Sequence, residues 1–365
     1  MKKIGIDARL YSQTGVGVYL RNLLFFLQKS ANQDIIFYVY LTADDYHKVF
    51  FKKDTFIKKL AVSRWHSFSE QTAFFKELYN DNLDLMHFTY FSYPILYKRK
   101  FIVTVHDTTP LLFKTGKAST KNPMVYAIKH LLFRFVLSTQ IKNSQLIITP
   151  TNYVKDQITA LFGQTYEKKI TTIHEGVSFE LMNSKQNDGL KKRFTKDFMI
   201  YVGNFYPHKN VEKLIEAFAK IKTNSQLILI GPNNYFSQRL FQLINKLKQE
   251  KRIVFYHNAT SEDLVFFYKN ALGLINPSLS EGFGLPLIEA AYFNLPILAS
   301  TIPVFEELMG DNYLKFNQNN IKDMTLKINQ FLKQSPKFNY QNIIQNYSFV
   351  QMTNQTLALY NKLLE

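Results

Sequence analysis

No cysteine occurs anywhere in the 365 residues, which excludes disulfides, thiolate metal sites and cysteine nucleophiles at once. Arginine is scarce as well: 8 stand against 37 lysines in a chain of net charge +17. The planar guanidinium fork is the preferred reader of phosphates and bases, so a lysine-borne charge does not point to a nucleic-acid partner. AT-rich coding gives the same mixture of lysine with asparagine, phenylalanine, tyrosine and isoleucine. Diffuse lysines beside aromatics also suit peripheral contact with an anionic membrane, and both readings stay open. No apolar run reaches the roughly 18 residues that cross a bilayer. The chain passes directly into an apolar strand at Ile4–Asp7, without a signal-peptide core, so a cytoplasmic location is expected, with peripheral contact at the inner face of the membrane left open. The acidic D-x-D pair that holds a divalent metal against a diphosphate is absent, and no close histidine spacing suits zinc, so no metal is expected. Neither G-x-S-x-G nor G-x-x-x-x-G-K-[ST] occurs.

What is present is an alternation of strands and helices. Apolar strands are expected at Lys3–Asp7, Ile35–Leu41, Leu85–Phe88, Ile102–His106 and Leu146–Thr149, with helices at Val18–Lys29 and Asn152–Phe162. The second half repeats the plan with strands at Met199–Val202, Gln226–Ile230, Ile253–Tyr256, Gly273–Asn276 and Ile297–Ala299. Its helices are expected at Val211–Ile221, Phe236–Glu250 and Glu262–Asn270. Such alternation predicts parallel, doubly wound α/β sheets. The polar stretch Ser184–Gly189 is the clearest linker, giving domains at 1–180 and 190–346. Tyr347–Leu364, with a Leu357, Tyr360 and Leu363 stripe, reads as a last amphipathic helix.

One stretch carries chemistry. Seven residues separate Glu281 from Glu289 in the run SLSEGFGLPLIEA, Ser278–Ala290. Asn276-Pro277 reads as helix entry, and Gly282 and Gly284 as close-approach glycines. The exposed N–H groups of a glycine-flanked helix start favour an anion. Carboxylates bracketing such a place suit hydroxyl donors rather than phosphate, which suggests a sugar nucleotide. Lys209, in a loop between a strand and a helix, would offset charge growing on a departing diphosphate. His106-Asp107 is a polar pair ending an apolar strand, where the core gives no reason for it; Asp107 could simply cap the next turn. Gly15 and Gly17 lack the third glycine and the acidic partner of a dinucleotide fingerprint.

Taken together, the E-x7-E run, the Tyr201–Asn210 loop with Gly203, Pro207 and Lys209, the Val103–Asp107 strand, the Gly15–Gly17 loop and the Ser300–Asp311 segment resemble, in order, retaining glycosyltransferases of the GT-B fold in family 4. The resemblance spans Ile4 to the final helix. It implies two Rossmann-like domains facing a central cleft, with the acceptor on the first and the donor nucleotide on the second. The last helix, 347–365, would cross back to the first domain. It further implies His106, Lys209 and Glu281 as catalytic residues, with His106 beneath the transferred sugar. Gly15, Gly17, Asn204, His208, Gly282, Phe283, Gly284, Leu285 and Glu289 would bind the donor, a UDP- or GDP-linked sugar, with Glu289 on the ribose. No cofactor is implied. The expected reaction moves a hexose to a hydroxyl of a glycan or lipid-linked acceptor in envelope polysaccharide assembly.

The chain departs from the family pattern in places. Val18 stands where relatives often carry arginine, with Arg21 three residues on. Asn204 and His208 fill other positions that arginine can occupy, and His257 lies near a place where relatives tend to have glycine. Two rival readings share the fold: a sugar phosphorylase or sugar-phosphate synthase, and a catalytically silent glycan-binding subunit. Finally, Tyr46–Leu60 and Lys121–Lys142 mix lysine with large apolar residues and read as basic-edged helices. They lie in a half, 1–180, that carries 24 basic and 14 acidic residues, and each lysine near anionic lipid is worth about 1 kcal/mol.

Overall fold

The computed structural model describes residues 1–30, 34–112 and 123–365, without the side chains of 123–129. Its strands form two separate parallel sheets. The first contains β1 (Lys2–Asp7), β2 (Ile35–Leu41), β3 (Phe56–Leu60), β4 (Leu85–Phe88), β5 (Phe101–Thr104), β6 (Leu146–Thr149) and β7 (Ile170–Thr172), in the order β3-β2-β1-β4-β5-β6-β7. The second contains β8 (Phe198–Val202), β9 (Gln226–Gly231), β10 (Ile253–His257), β11 (Leu274–Asn276), β12 (Ile297–Ser300) and β13 (Leu314–Phe316), in the order β10-β9-β8-β11-β12-β13. The described residues divide into two compact units: Met1–Leu112 with 123–175 and Ser348–Glu365, and Gly176–Tyr347.

Central strands such as β4 and β5 are buried along their whole length. Parallel strands covered on both faces read in this way as continuous apolar runs. Tyr40, Phe88, Phe101, Val103 and Ile147 share one core. In the second unit Met199, Leu227, Leu229, Ile275 and Leu298 pack with Leu214 and Phe218 of the helix Val211–Ala219. Each sheet is wound outward in two directions, and the winding reverses between β1 and β4 and again between β8 and β11. At such a reversal the loops leaving neighbouring strands part, which opens a crevice at the strand ends.

The first helix, Val16–Ser30, packs against the last, Phe349–Leu364, within the first unit. The last helix turns inward Phe349, Met352, Thr353, Thr356 and Tyr360, so its buried stripe is rotated from the expected one, and Leu357 and Leu363 are only half-buried. Thr356 can enter because its hydroxyl bonds back along the helix to Met352 O at 2.8 Å. The Tyr360 hydroxyl lies 2.6 Å from His87 Nδ1 in the core, and His87 Nε2 lies 2.8 Å from Thr104 Oγ1. Burial pushes His87 down to about 3, so the ring is neutral. No described helix is long and apolar enough to cross a membrane.

Two expectations need correction. The segment 46–60 is not an amphipathic helix. A short helix ends at Tyr46, and Phe56–Leu60 is the edge strand β3, whose Phe56 stacks on Phe37 of β2 at 4.7 Å. The Lys58 ammonium donates to Tyr46 O at 2.8 Å and Val49 O at 2.9 Å, binding the preceding turn to the strand. Nor does Asn276-Pro277 open a helix: Asn276 pairs with Ala299 in the ladder, and the helix begins only at Leu285. The second basic segment holds the helix Pro123–Asn143, while residues 121–122 lie outside the described residues.

Removing the Tyr360 hydroxyl as Tyr360→Phe deprives a buried ring nitrogen of its partner, which costs about 1–3 kcal/mol. The urea midpoint should fall accordingly. An unchanged midpoint would show that the hydroxyl contributes nothing to the first unit.

Candidate active site

In the second unit the adjacency of β8 and β11 brings two loops together. The β8 loop runs from Gly203 through Asn204 to a single turn at Pro207–Lys209, and Asn210 then adopts a left-handed conformation, φ 58°, ahead of the helix Val211–Ala219. Asparagine tolerates this region better than most residues. The turn points the Asn210 amide across the gap, where it donates to Pro277 O at 3.0 Å and Gln318 O at 2.9 Å. A backbone bond from Leu279 N to His208 O, 2.8 Å, closes the same gap. On this frame Lys209 Nζ stands 2.6 Å from Glu281 Oε2, and Ser278 Oγ donates to Glu281 Oε1 at 2.7 Å. Both partners are largely buried, with side chains 14% and 12% exposed, so solvent screens the pair only weakly. Burial, reinforced by Lys209, pushes the neighbouring His208 down to about 4. His208 therefore adds no charge at neutral pH, and its ring stacks on Tyr206.

Downstream of Glu281 the chain needs glycine for two reasons at Gly284: φ is +96°, and an added Cβ would lie 2.9 Å from the Phe305 ring. Leu285 then starts the helix Leu285–Tyr292, with Pro286 in its first turn. Gly282 and Phe283 are buried, and Phe283 packs edge-on against Tyr347 at 5.8 Å, so its ring serves the core. Glu289 sits on the buried face of the helix, where Tyr268 donates to its Oε2 at 2.5 Å. Its Oε1 has no protein partner among the described residues. Burial pushes this carboxyl up to about 7 against the opposing Tyr268 bond.

In the first unit His106 follows β5 and is nearly buried. Its Nε2 lies 3.0 Å from Thr89 O, a carbonyl that can only accept, so Nε2 carries hydrogen. Nδ1 lies 3.1 Å from Glu175 Oε1, and the Tyr19 ring meets the imidazole edge-on at 4.7 Å. Asp107 caps the next turn by accepting from Thr109 N at 2.8 Å. Gly15, φ +66°, forms the turn before the first helix, while Gly17 lies inside that helix; a Cβ there would meet Tyr11 O at 2.6 Å. Arg21 donates to the same carbonyl at 2.9 Å. The sequence singled out neither Glu175, Thr89 nor Tyr268. The sequence points to Asn210 only as the end of the Tyr201–Asn210 loop.

A profile described as Glycosyltransferase Family 4 matches residues 14–181, and one described as Glycosyl transferases group 1 matches residues 183–348. The chain belongs to glycosyltransferase family 4. This family-4 chain is similar to the O-antigen chain mannosyltransferase RfbU of Salmonella typhimurium, 26% identical over 352 residues that cover 93% of this chain and 94% of the relative. Its fold is also that of solved structures. Sucrose-phosphate synthase from Thermosynechococcus elongatus aligns with a TM-score of 0.81 at 17% identity, over 100% of this chain and 99% of the other. Anabaena Alr3699/HepE in complex with UDP and glucose aligns with a TM-score of 0.78 at 16% identity, over 99% and 100%. At such identities the likeness establishes the fold, and the class is GT-B.

In this family-4 glycosyltransferase the raised Glu289 carboxyl links stability to pH. Its folded form favours the proton, so the contribution is fully present below the ordinary carboxyl range and is lost as pH rises through about 7. Glu289→Gln keeps an acceptor for Tyr268 but does not titrate. The variant should gain stability relative to the wild type between pH 4.5 and 8, by roughly 3 kcal/mol at most. Melting temperatures that differ by a constant amount across this range would show that Glu289 does not titrate there.

Proposed function

We propose that this glycosyltransferase moves a hexose from a UDP- or GDP-linked donor to a hydroxyl of a glycan or lipid-linked acceptor. The reaction proceeds with retention of configuration, without a metal ion, in envelope polysaccharide assembly. The observation that carries this reading is the Lys209–Glu281 pair at 2.6 Å, held beside the strand reversal. An ammonium has three N–H donors, and Glu281 takes one, leaving two for a diphosphate. As the bond between C1 of the sugar and its phosphate oxygen breaks, charge grows on the diphosphate where Lys209 can stabilise it. The acceptor oxygen bonds to C1 on the same face and passes its proton to the departing phosphate oxygen. Both Glu281 oxygens already accept hydrogen bonds, which favours an orienting role over nucleophilic attack.

The remaining Glu289 oxygen suits the ribose hydroxyls. His106 would lie beneath the transferred sugar, trading its bond to Thr89 or Glu175 for one to a sugar hydroxyl. The O-antigen assignment of the Salmonella relative supports the polysaccharide setting, and the complex of Alr3699/HepE with UDP supports a nucleotide-linked donor. Peripheral contact with anionic lipid is part of the proposal, through exposed Phe50, Val62 and Phe68 with Lys52 and Lys53 nearby in sequence. Lys58 and Lys59 contribute little to it, since Lys58 is bonded within the fold and Lys59 pairs with Asp81 at 2.5 Å.

Lys209→Ala should lower kcat by about 10²-fold or more, the usual loss for one electrostatic stabiliser in a closed site. Wild-type activity should survive EDTA; loss on chelation with rescue by Mn²⁺ refutes the metal-free route. At pH 8 Glu289→Gln should raise the donor KM about tenfold, as expected for a charged acceptor bond of about 1.5–3 kcal/mol. Steady-state kinetics with a matched donor separates the two effects. If the donor KM of Glu289→Gln is unchanged, Glu289 does not hold the ribose.

A further inference from the structure

Glu175 is a buried carboxyl, only 5% exposed, whose partner in the structure is the candidate catalytic histidine. It follows the edge strand β7, and two bonds hold this segment to the exit of β6. Ile173 N donates to Thr149 O at 2.9 Å, and His174 Nδ1 donates to Pro150 O at 2.8 Å. Glu175 Oε1 then lies 3.1 Å from Nδ1 of His106, which leaves β5. In the sheet β6 stands between β5 and β7. Neighbouring strands are about 4.8 Å apart, so the contact crosses the end of a whole strand, a span of about 10 Å. No lysine or arginine pairs with Glu175 among the described residues. Burying a carboxyl is costly unless it is bonded, and here the bond goes to His106.

The two bonds of the imidazole respond differently to movement. Nε2 donates to Thr89 O, since a carbonyl only accepts. That carbonyl belongs to a residue pinned on its other side, where Thr89 Oγ1 donates to Asp7 O at 2.6 Å, so it cannot follow the ring. Glu175 is a side chain with three rotatable bonds and can follow Nδ1 through a small rotation. Nε2 is also the ring nitrogen farther from Cβ, so rotation about Cα–Cβ displaces it more than Nδ1. A half-turn about Cβ–Cγ would place C–H groups against both oxygens. The ring therefore has one bonded orientation, and a hydroxyl competes most easily at Nε2. Such a hydroxyl can accept from the ring and donate to the freed Thr89 carbonyl.

We propose that Glu175 is a positioning residue for the transfer: it keeps hold of His106 Nδ1 while Nε2 leaves Thr89 O for a hydroxyl of the transferred sugar. Glu175 does not itself touch the sugar. The inference rests on the reaction proposed above, in which His106 lies beneath that sugar, and it adds the residue that fixes the direction of the Nε2 bond. The length of the side chain matters. Aspartate, shorter by about 1.5 Å, does not cross the end of β6. Glutamine spans it and bonds Nδ1 through either amide atom.

Release of UDP or GDP from UDP- and GDP-linked glucose, galactose and mannose, with octyl mannoside as acceptor, gives kcat and donor KM for the full-length protein. Rates are expressed per nucleotide-binding site counted by calorimetry, so that any misfolded fraction drops out. Glu175→Ala and Glu175→Asp should lower kcat about 10- to 100-fold, the scale of a displaced catalytic group, with little change in donor KM. Glu175→Gln should stay close to the wild type. In a His106→Ala background Glu175→Ala should add no further loss, because residues that act as a unit are not additive. Losses that multiply in the double variant, or Glu175→Gln as impaired as Glu175→Ala, would show a structural effect and overturn the positioning role. If the wild type turns over none of these donors, or His106→Ala keeps the wild-type kcat, the underlying reading is wrong and Glu175 has nothing to position. If His106→Ala is impaired and Glu175→Ala is not, positioning alone is wrong.

Discussion

The contact of β8 with β11 is the constraint on which the candidate site depends. The two strands lie side by side although about 70 residues separate them in the chain, because the second sheet is wound outward from its middle. Their loops must then leave in opposite directions, and polar side chains fill the space between them. Asn210 bridges that space with two bonds to backbone carbonyls, the Leu279–His208 bond fixes the distance, and Lys209 and Glu281 complete it with opposite charges. A lysine and a glutamate can be held this way in a largely buried place because each partner and Ser278 replaces hydration lost to burial. At the β1–β4 reversal of the first sheet, Arg9 pairs with Asp7 beside it and with Glu70, which also accepts from Ser92 on the β4 side at 2.6 Å.

The first unit is also threaded by buried polar contacts that begin on the last helix. Tyr360 meets His87, His87 meets Thr104, Thr104 Oγ1 lies 3.2 Å from the Tyr19 hydroxyl, and the Tyr19 ring lies against His106. The members of this series before His106 are uncharged, and beyond them His106 Nδ1 lies 3.1 Å from Glu175 Oε1. Such a series orients His106 without adding charge beside it. It also joins the last residues of the chain to the strand ends of a sheet made by the first 175.

Some of the lysines are used by the fold. Lys169 donates to Lys142 O and Ser144 O, both at 2.9 Å, at the end of the helix Pro123–Asn143, and Lys100 donates to Leu363 O at the end of the last helix. A cation on unsatisfied terminal carbonyls also opposes the negative end of the helix dipole. Lys58 does similar work on the turn before β3 and lies 4.8 Å from the rings of both Tyr46 and Phe50.

The sequence by itself determined the elements whose signal is local. Ile35–Leu41, Leu85–Phe88 and Leu146–Thr149 are strands with the expected limits, because runs of β-branched and aromatic residues between polar turns have no other stable place. It also determined the family, since the spacing of Glu281 and Glu289 and the Lys209 loop are read directly along the chain. The strands it did not reveal are β3, β7 and β13, each at a sheet edge. Edge strands pair on one side only and tolerate lysine and threonine, so their composition resembles that of a turn. Tertiary structure alone decided the partners: Glu175 for His106 across 69 positions, Tyr268 for Glu289 across 21, and Glu70 for Arg9 across 61. Hydrogen bonds of this kind act over about 3 Å, and only the packing of the sheets brings such distant residues within that range.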